Sequence, residues 1–217
     1  MARAFGRAFS FAGRKERSDM LTAGFHDVPP GCLAAVVTVL EMRRPPPSRP
    51  LAPLPGHSLV QVKTPAPDWY RHLFTEIGRD WLWFSRLAMP GADLAAILTD
   101  PAVEIRVLRD EGGRDVGLLE LDFRTPGACE LAFFGVAAAL QGRGAGSLLM
   151  QAALARAWAA PIDRFHVHTC TFDHPAALPF YIRSGFVPVA RRVEVAPDPR
   201  LTGLLPVDAA PDVPMLS

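Results

Sequence analysis

Cysteine is scarce in this sequence, and the three that occur, Cys32, Cys129 and Cys170, show no paired spacing. That pattern argues against a disulfide framework, and also against a zinc ribbon, which needs closely spaced cysteine pairs. Free thiols suit a reducing compartment, so we expect a cytoplasmic protein.

Long apolar runs and a strong net charge are also missing. The longest uncharged apolar run has roughly ten residues, near Leu131–Leu140, about half of what a membrane-spanning helix needs. The formal net charge is +1, which gives no electrostatic reason for nucleic acid or an anionic membrane as a partner. Hydrophobic residues make up 49% of the chain, so we expect a soluble protein with a full core.

Prolines divide the sequence into a body and two ends. Ten of the 22 prolines lie in the first 67 residues and five in the last 21. We therefore predict an N-terminal extension with a Pro-rich segment at 1–57, a folded domain at 58–195 and a Pro-rich tail at 196–217. Residues 1–19 have no acidic residue before Glu16; we interpret them as a disordered tail or the product of an upstream start codon, with a transit peptide as the alternative.

Hydrophobic periodicity predicts strands and helices in the body of the chain. The predicted strands are 32–42, 58–63, 103–109, 116–124, 129–137, 163–172 and 186–195. The predicted helices are 68–87, 89–101, 146–160 and 173–186. This order is typical of an α/β or α+β domain with a mixed sheet. The first strand would cover a sheet edge or pair with a second copy in a homodimer.

Three glycines crowd the stretch QGRGAG at 141–146, between a predicted strand and a predicted helix. A helix N-terminus carries unpaired N–H groups and about half a positive charge. Gly142, Gly144 and Gly146 leave that backbone bare, and Arg143 adds a formal positive charge. The corner therefore suits a phosphate or diphosphate, with a merely flexible corner as the alternative.

Two common phosphate-binding loops do not fit this stretch. A Walker A loop needs Gly-Lys followed by Ser or Thr, which is missing here. A dinucleotide fingerprint needs its third glycine three residues after the second, where this sequence has Ser147. The pattern Gln/Arg-x-x-Gly-x-Gly/Ala remains, and Gln141–Gly146 fits it.

This loop resembles that of the GNAT superfamily of acetyl-CoA-dependent N-acetyltransferases. Residues 177–186, ALPFYIRSGF, are similar to the family's Ala-x-x-Phe-Tyr-x-x-x-Gly-Phe segment. The resemblance covers residues 58–195 and implies a mixed, mainly antiparallel sheet flanked by helices, with strands splayed at the cofactor site. The sequence departs from the family pattern at His174, where the family often has Asn, and at Ala138, where it often has proline.

The resemblance implies acetyl-CoA as the co-substrate. Its diphosphate would rest on the backbone N–H groups of residues 142–147, and its pantetheine arm would run beside the strand that precedes them. The implied cofactor-binding residues are Val136, Ala138, Gln141, Gly142, Arg143, Gly144, Ala145, Gly146, Ser147 and His174.

Direct acetyl transfer to an amine needs a base for the amine and an acid for the departing thiolate. Tyr181 matches the general acid of the family, and Glu130 matches the general base of some members. Glu120 and Asp122, on one face of the preceding strand, are rival bases. Strand alternation would put Glu130 on the same face as Phe134.

His166 and His168 share a strand face and could bind a metal, line the acceptor pocket or serve the structure alone. The family's chemistry needs no metal, so we expect none. The candidates for an acceptor pocket with an apolar wall and one cation are Trp81, Trp83, Phe84 and Arg86.

We therefore expect an N-acetyltransferase that moves an acetyl group from acetyl-CoA to a primary amine, by direct attack in a ternary complex. The acceptor would be a small molecule or a peptide, and neither nucleic acid nor a membrane is expected as a partner. A non-catalytic acyl-CoA-binding sensor or partner module is the alternative. An interaction scaffold with proline-rich arms would rest on residues 43–55 alone.

Overall fold

The computed structural model describes residues 21–47 and 53–217. Within them the strands are β1 (Cys32–Met42), β2 (His57–Val62), β3 (Val103–Asp110), β4 (Asp115–Asp122), β5 (Ala128–Val136), β6 (Arg164–Cys170) and β7 (Val187–Pro197). The α-helices are α1 (Pro67–Gly78), α2 (Ser85–Ala88), α3 (Gly91–Leu98), α4 (Ala145–Trp158) and α5 (Ala177–Arg183). Single 3-10 turns lie at Arg79–Trp81 and Ala138–Leu140. The predicted tail segment at 1–19 lies outside the described residues.

The strands form one sheet in the order β2-β3-β4-β5-β6-β1-β7. Neighbouring strands run antiparallel except β5 and β6, which are parallel. Apolar side chains project from both faces of the sheet, so helices pack on both faces. This mixed, mainly antiparallel sheet confirms the predicted fold class.

β1 is an interior strand of the sheet. It pairs with β6 from Val37 to Met42 and with β7 along Cys32–Glu41. Residues 32–42 therefore cover the edge of β6, and the alternative that they pair with another chain is wrong, because β7 takes their other edge. The strand is predicted correctly, but hydrophobic periodicity does not encode which neighbours a strand takes. The sheet thus includes residues that precede 58–195.

The pairing between β5 and β6 is short, which confirms the predicted splay. It joins Ala128, Cys129 and Glu130 to the first residues of β6 and ends there. Directly beyond it, Ala132 is an extra residue in the ladder between β5 and β4, where Glu120 pairs with Phe133 and Leu121 with Leu131. Such a bulge bends its strand and increases its twist. β5 therefore turns away, while β1 holds β6 along its other edge.

The two faces of the sheet carry separate hydrophobic clusters. Leu119 of β4 packs with α4 and α5, whereas its neighbour Leu118 packs with α1 and α3. We call these the α4 face and the α1 face. Among the described helices, none combines the length and the apolarity that crossing a bilayer requires.

The helix predicted at 68–87 is wrong in its second half. α1 ends at Gly78, and after a 3-10 turn Leu82 adopts a left-handed φ of 54°. The chain turns back because Trp83 packs onto Gly78, where an added Cβ would lie only 2.5 Å from the Trp83 side chain. Periodicity misses this break, because the turn depends on one close contact between a ring and a glycine.

The tail beyond Pro197 has neither helix nor strand, yet it is packed. Asp198 and Arg200 are buried, and the Arg200 guanidinium donates to the Asp198 carboxylate at 2.7 Å. The same guanidinium donates to three backbone carbonyls of the tail, those of Ala209, Ala210 and Val213. One buried cation therefore organises this irregular segment.

Arg200→Ala is expected to lower the free energy of unfolding by about 3 kcal/mol, because it removes the guanidinium that neutralises the buried Asp198 carboxylate and donates to the three tail carbonyls. Urea denaturation measures the loss. Arg183→Ala is the control, since Arg183 is exposed on α5. Equal stability of the two variants would contradict this account of the tail.

Candidate active site

The glycine-rich stretch 141–146 forms the corner between β5 and α4, as the sequence predicts. Gly142 and Gly144 have φ of 72° and 88°, in the left-handed region that glycine adopts without strain. A Cβ added to either residue would meet no atom within 4 Å. Gly144 is the N-cap of α4, so the bare loop lies directly at the helix N-terminus.

Five backbone N–H groups at this corner have no acceptor within the described part of the chain: those of Gly142, Gly144, Ala145, Gly146 and Ser147. Other N–H groups nearby are used internally, since Gln141 donates to Ala138 at 3.1 Å and Arg143 to Leu140 at 3.2 Å. Free amides and the partial positive charge of a helix N-terminus together attract an anion.

The surroundings of the corner also favour the binding of an anion. Arg143 is exposed, and residues 53–55 lie across a cleft of about 290 Å³ from Arg143 and Ser147. A Cβ added to Gly146 would point at the Phe180 ring of α5, 3.9 Å from its Cζ. Ala145 is fully buried, so its side chain takes no part in the surface of the corner.

The separation of β5 from β6 leaves two facing strand edges unpaired. Among the described residues, β5 has no strand partner on this side after Glu130, and β6 has none after His166. Val136 is the last residue of β5 and lies in its unpaired part. Ala138 follows in a 3-10 turn, and its carbonyl accepts a hydrogen bond from the Gln141 N–H. The gap between these two strand edges is called the wedge below. An extended chain can lie in the wedge and hydrogen-bond to the strand backbone as an added strand would.

Tyr181 of α5 reaches the wedge from the α4 face. It is 6% exposed, and its ring contacts Phe134 of β5 at 6.1 Å between centroids. Its hydroxyl makes no hydrogen bond to the described residues. Burial, with a contribution from Asp173, raises the pKa of Tyr181, so the phenol stays protonated.

Glu130 lies where the wedge begins, on the opposite side from Tyr181. The expectation that it shares a face with Phe134 is wrong, because the bulge at Ala132 shifts the alternation by one residue. Glu130 instead shares the α1 face with Phe133. Its Oε1 lies 3.5 Å from Nδ1 of His168, across the gap between the two strands.

The contact with Glu130 raises the pKa of His168. Sequence reasoning named both residues but not the pair, because the pairing depends on the register between β5 and β6. His168 is exposed on its strand, whereas burial lowers the pKa of His166. Among the described residues, no three His, Cys, Asp or Glu side chains are grouped to hold a metal ion.

Glu120 is fully buried and forms part of the core. Tyr70 donates its hydroxyl hydrogen to Glu120, and Arg86 forms a buried ion pair with the same carboxylate. Arg86 also lies over the Phe133 ring, 4.9 Å from its centroid. The expectation of Arg86 as the cation of an acceptor pocket is therefore wrong, since its charge is neutralised inside the α1 face.

Asp122, the other rival base, is held by Arg124. Burial opposes ionisation, but hydrogen bonds from Arg124 keep the pKa of Asp122 below its ordinary value. Of the three carboxylates considered, Glu130 is the one at the wedge. Its role as a base stays a prediction.

The segment between β6 and α5 adds one residue that sequence reasoning missed. Asp173 accepts hydrogen bonds from the Thr169 hydroxyl at 2.7 Å and the Cys170 N–H at 2.8 Å. It also accepts from the indole of Trp83 at 3.3 Å, so it fixes the end of β6 against the α1 side. Its only sequence signal is its place just before His174.

His174 lies beside this carboxylate and is held by its own neighbours. Its Nδ1 accepts from the Ala176 N–H at 3.0 Å, and its ring contacts Trp81 at 5.0 Å between centroids. The neutral ring then carries its proton on Nε2, which is the atom left for a cofactor contact. That contact stays a prediction.

Comparison with known proteins agrees with this geometry. The family model described as the acetyltransferase (GNAT) family matches residues 67–186, just over half of the chain. The match includes β5, the glycine corner, α4, β6 and α5. No protein with a curated function matches the chain.

Solved structures share the fold. A GCN5-related N-acetyltransferase from Sphaerobacter thermophilus is 18% identical, with a TM-score of 0.56 over 78% of this chain and 52% of that one. A tandem GNAT protein from the clavulanic acid biosynthesis pathway is 18% identical, with 0.56 over 79% and 54%. A GCN5-related N-acetyltransferase from Kribbella flavida is 16% identical, with 0.51 over 80% and 63%.

At these identities the likeness establishes the fold alone. The chain spans about half the length of the Sphaerobacter and clavulanic acid pathway proteins.

The Glu130–His168 contact predicts a measurable titration. Glu130→Gln should lower the pKa of His168 towards the ordinary histidine value of about 6.5, because the neutral amide no longer favours the imidazolium. NMR titration of the imidazole C2–H resonances measures the change. His72 on α1 is the internal reference, and an unaltered His168 titration would contradict the contact.

The contact between Glu130 and His168 stabilises the folded protein while His168 is protonated, because folding raises the pKa of His168. The contribution of the contact is fully present below the unfolded pKa and is lost as the pH rises through the folded pKa.

Proposed function

The chain belongs to the acetyltransferase (GNAT) family, and we propose that it transfers an acetyl group from acetyl-CoA to a primary amine within a ternary complex. The observation that carries the proposal is the set of five N–H groups at the N-terminus of α4 that have no acceptor among the described residues, beside an open wedge between β5 and β6. The N–H groups suit a diphosphate, and the wedge suits an extended pantetheine arm.

The corner fits acetyl-CoA on steric grounds as well. Gly142 and Gly144 have open space over their Cα atoms, and Gly146 leaves the gap towards Phe180 free of a side chain. Gln141 and Arg143 stand at the rim with exposed side chains, and Arg143 can neutralise phosphate charge. Acetyl-CoA would supply the activated acetyl group as a thioester.

Residues on opposite sides of the wedge would carry out the two proton transfers of the reaction. On the α1 face, Glu130 with His168 would accept the proton that the attacking ammonium must lose, directly or through one water. The amine nitrogen then forms the new bond to the acetyl carbon, the carbon–sulfur bond breaks, and the nitrogen releases its second proton to solvent, which leaves the neutral amide. The Val136 N–H, at the end of β5, would stabilise the oxyanion.

On the α4 face, Tyr181 would donate a hydrogen bond to the departing thiolate and pass it a proton. A phenol with a raised pKa is a weak acid, so water must resupply that proton quickly for the transfer to the thiolate, whose thiol has a reference pKa near 8.5. The acceptor amine, on a small molecule or a peptide, would enter from the α1 face beside Glu130.

Gly144→Ala is expected to weaken acetyl-CoA binding by at least about tenfold, because an L side chain at a φ of 88° strains the corner and covers its amides. Isothermal titration calorimetry measures the affinity. Gly203→Ala is the matched control: Gly203 has a φ of 75° with open space around it, but lies in the tail. Absence of any heat from the unchanged protein at millimolar acetyl-CoA would refute the proposed cofactor.

Tyr181→Phe should leave the affinity for acetyl-CoA nearly unchanged and lower kcat by about 10²-fold. Release of the CoA thiol in the presence of a panel of amines measures turnover. Tyr70→Phe is the control, because Tyr70, the only other tyrosine of the chain, lies in the core against Glu120. Turnover that survives Tyr181→Phe removes Tyr181 from the acid role; binding without thiol release from any amine favours a non-catalytic acyl-CoA module.

A further inference from the structure

β7 is the last strand of the sheet, and nothing in the described chain pairs with its outer edge. Ten of its eleven residues are exposed, and the other is half-buried. The exposed residues include four valines, Val187, Val189, Val193 and Val195, with 47–61% of their surface accessible. A long, apolar and uncovered edge of this kind is a template for pairing with another strand.

The charge pattern of β7 is complementary to that of β7 in a second copy. In an antiparallel pair related by a twofold axis, matching faces meet, so one residue lies opposite itself on the axis. With Arg191, Arg192 or Glu194 on the axis, that residue would face its own like charge. With Val193 on the axis, Arg192 faces Glu194 of the partner subunit, and its own Glu194 faces Arg192 of the partner subunit.

We propose that β7 pairs antiparallel with β7 of a second copy, with Val193 on the twofold axis, and joins the two sheets into one. Val193 then packs against its own counterpart on the α4 face, next to Val36 of β1, which is itself 43% exposed. The two Arg192–Glu194 pairs form on the α1 face. Pro188 and Pro197, which cannot donate to a ladder, stand near the two ends of the paired stretch.

The interface would border the candidate active site. Val37 of β1 pairs with Arg192 and Ala35 pairs with Glu194, which places both charges on the face that carries His168, the partner of Val39. Pairing of β7 thus extends the α1 face beyond the side from which an acceptor would enter.

Cysteine cross-linking of the full chain tests the register. Val193→Cys should form a disulfide-linked dimer under mild oxidation, because directly opposite Cα atoms lie about 4.5–5.5 Å apart, within the range of a disulfide. Val195→Cys is the matched control, since it has the same exposure but would lie roughly 14 Å along the strands from its counterpart. The unsubstituted chain gives the background from its three native cysteines.

Cross-linking of Val193→Cys alone supports the proposal. Cross-linking of Val195→Cys alone or to the same extent overturns the register.

Analytical ultracentrifugation tests the charge pattern in the same full chain. Glu194→Arg should raise the dissociation constant of the dimer by about tenfold or more, because two attractive pairs become repulsive. The double change Arg192→Glu with Glu194→Arg should restore the dimer. Glu111→Arg, an equal charge reversal in the exposed β3–β4 turn, is the control.

A chain that stays monomeric at all concentrations overturns the proposal. A dimer indifferent to Glu194→Arg overturns it as well.

Discussion

The early end of the pairing between β5 and β6 is the constraint on which the candidate site depends. Two parallel strands that stayed paired would bury their edges in each other and leave no room for a ligand. Here the ladder stops at Glu130 and His166, the bulge at Ala132 bends β5 away, and β1 holds β6 from the other side. The same divergence brings Glu130 and His168 to the α1 face of the wedge, leaves Tyr181 on the α4 face, and points β5 at the glycine corner.

Charged side chains have three different roles in the described structure. Glu120 and Arg86 neutralise each other inside the core, where an unpaired charge would be costly. Arg200 organises the tail by donating to Asp198 and to backbone carbonyls. Arg143 and the free amides of the corner have no anionic partner in the described chain, which is the arrangement expected of a site that binds a charged ligand from solution.

The sequence predicts the local parts of this site well and its long-range contacts poorly. The strand, the glycine corner and the helix after it are confirmed, because bare backbone at a helix start is a local property. The break after Gly78, the neutralisation of Arg86 and the interior place of β1 depend on contacts between residues distant in sequence. One extra residue, Ala132, is enough to reverse the predicted face of Glu130, since a strand alternates with a period of two.

The central claim is that the N-terminus of α4 binds the diphosphate of acetyl-CoA while the wedge holds its pantetheine arm. A crystal structure of the chain with bound coenzyme tests this most directly. The account predicts diphosphate density within hydrogen-bonding distance of the N–H groups of residue 142 and residues 144–147, with the arm between β5 and β6. Density for the diphosphate at another surface, with this corner vacant, would contradict it.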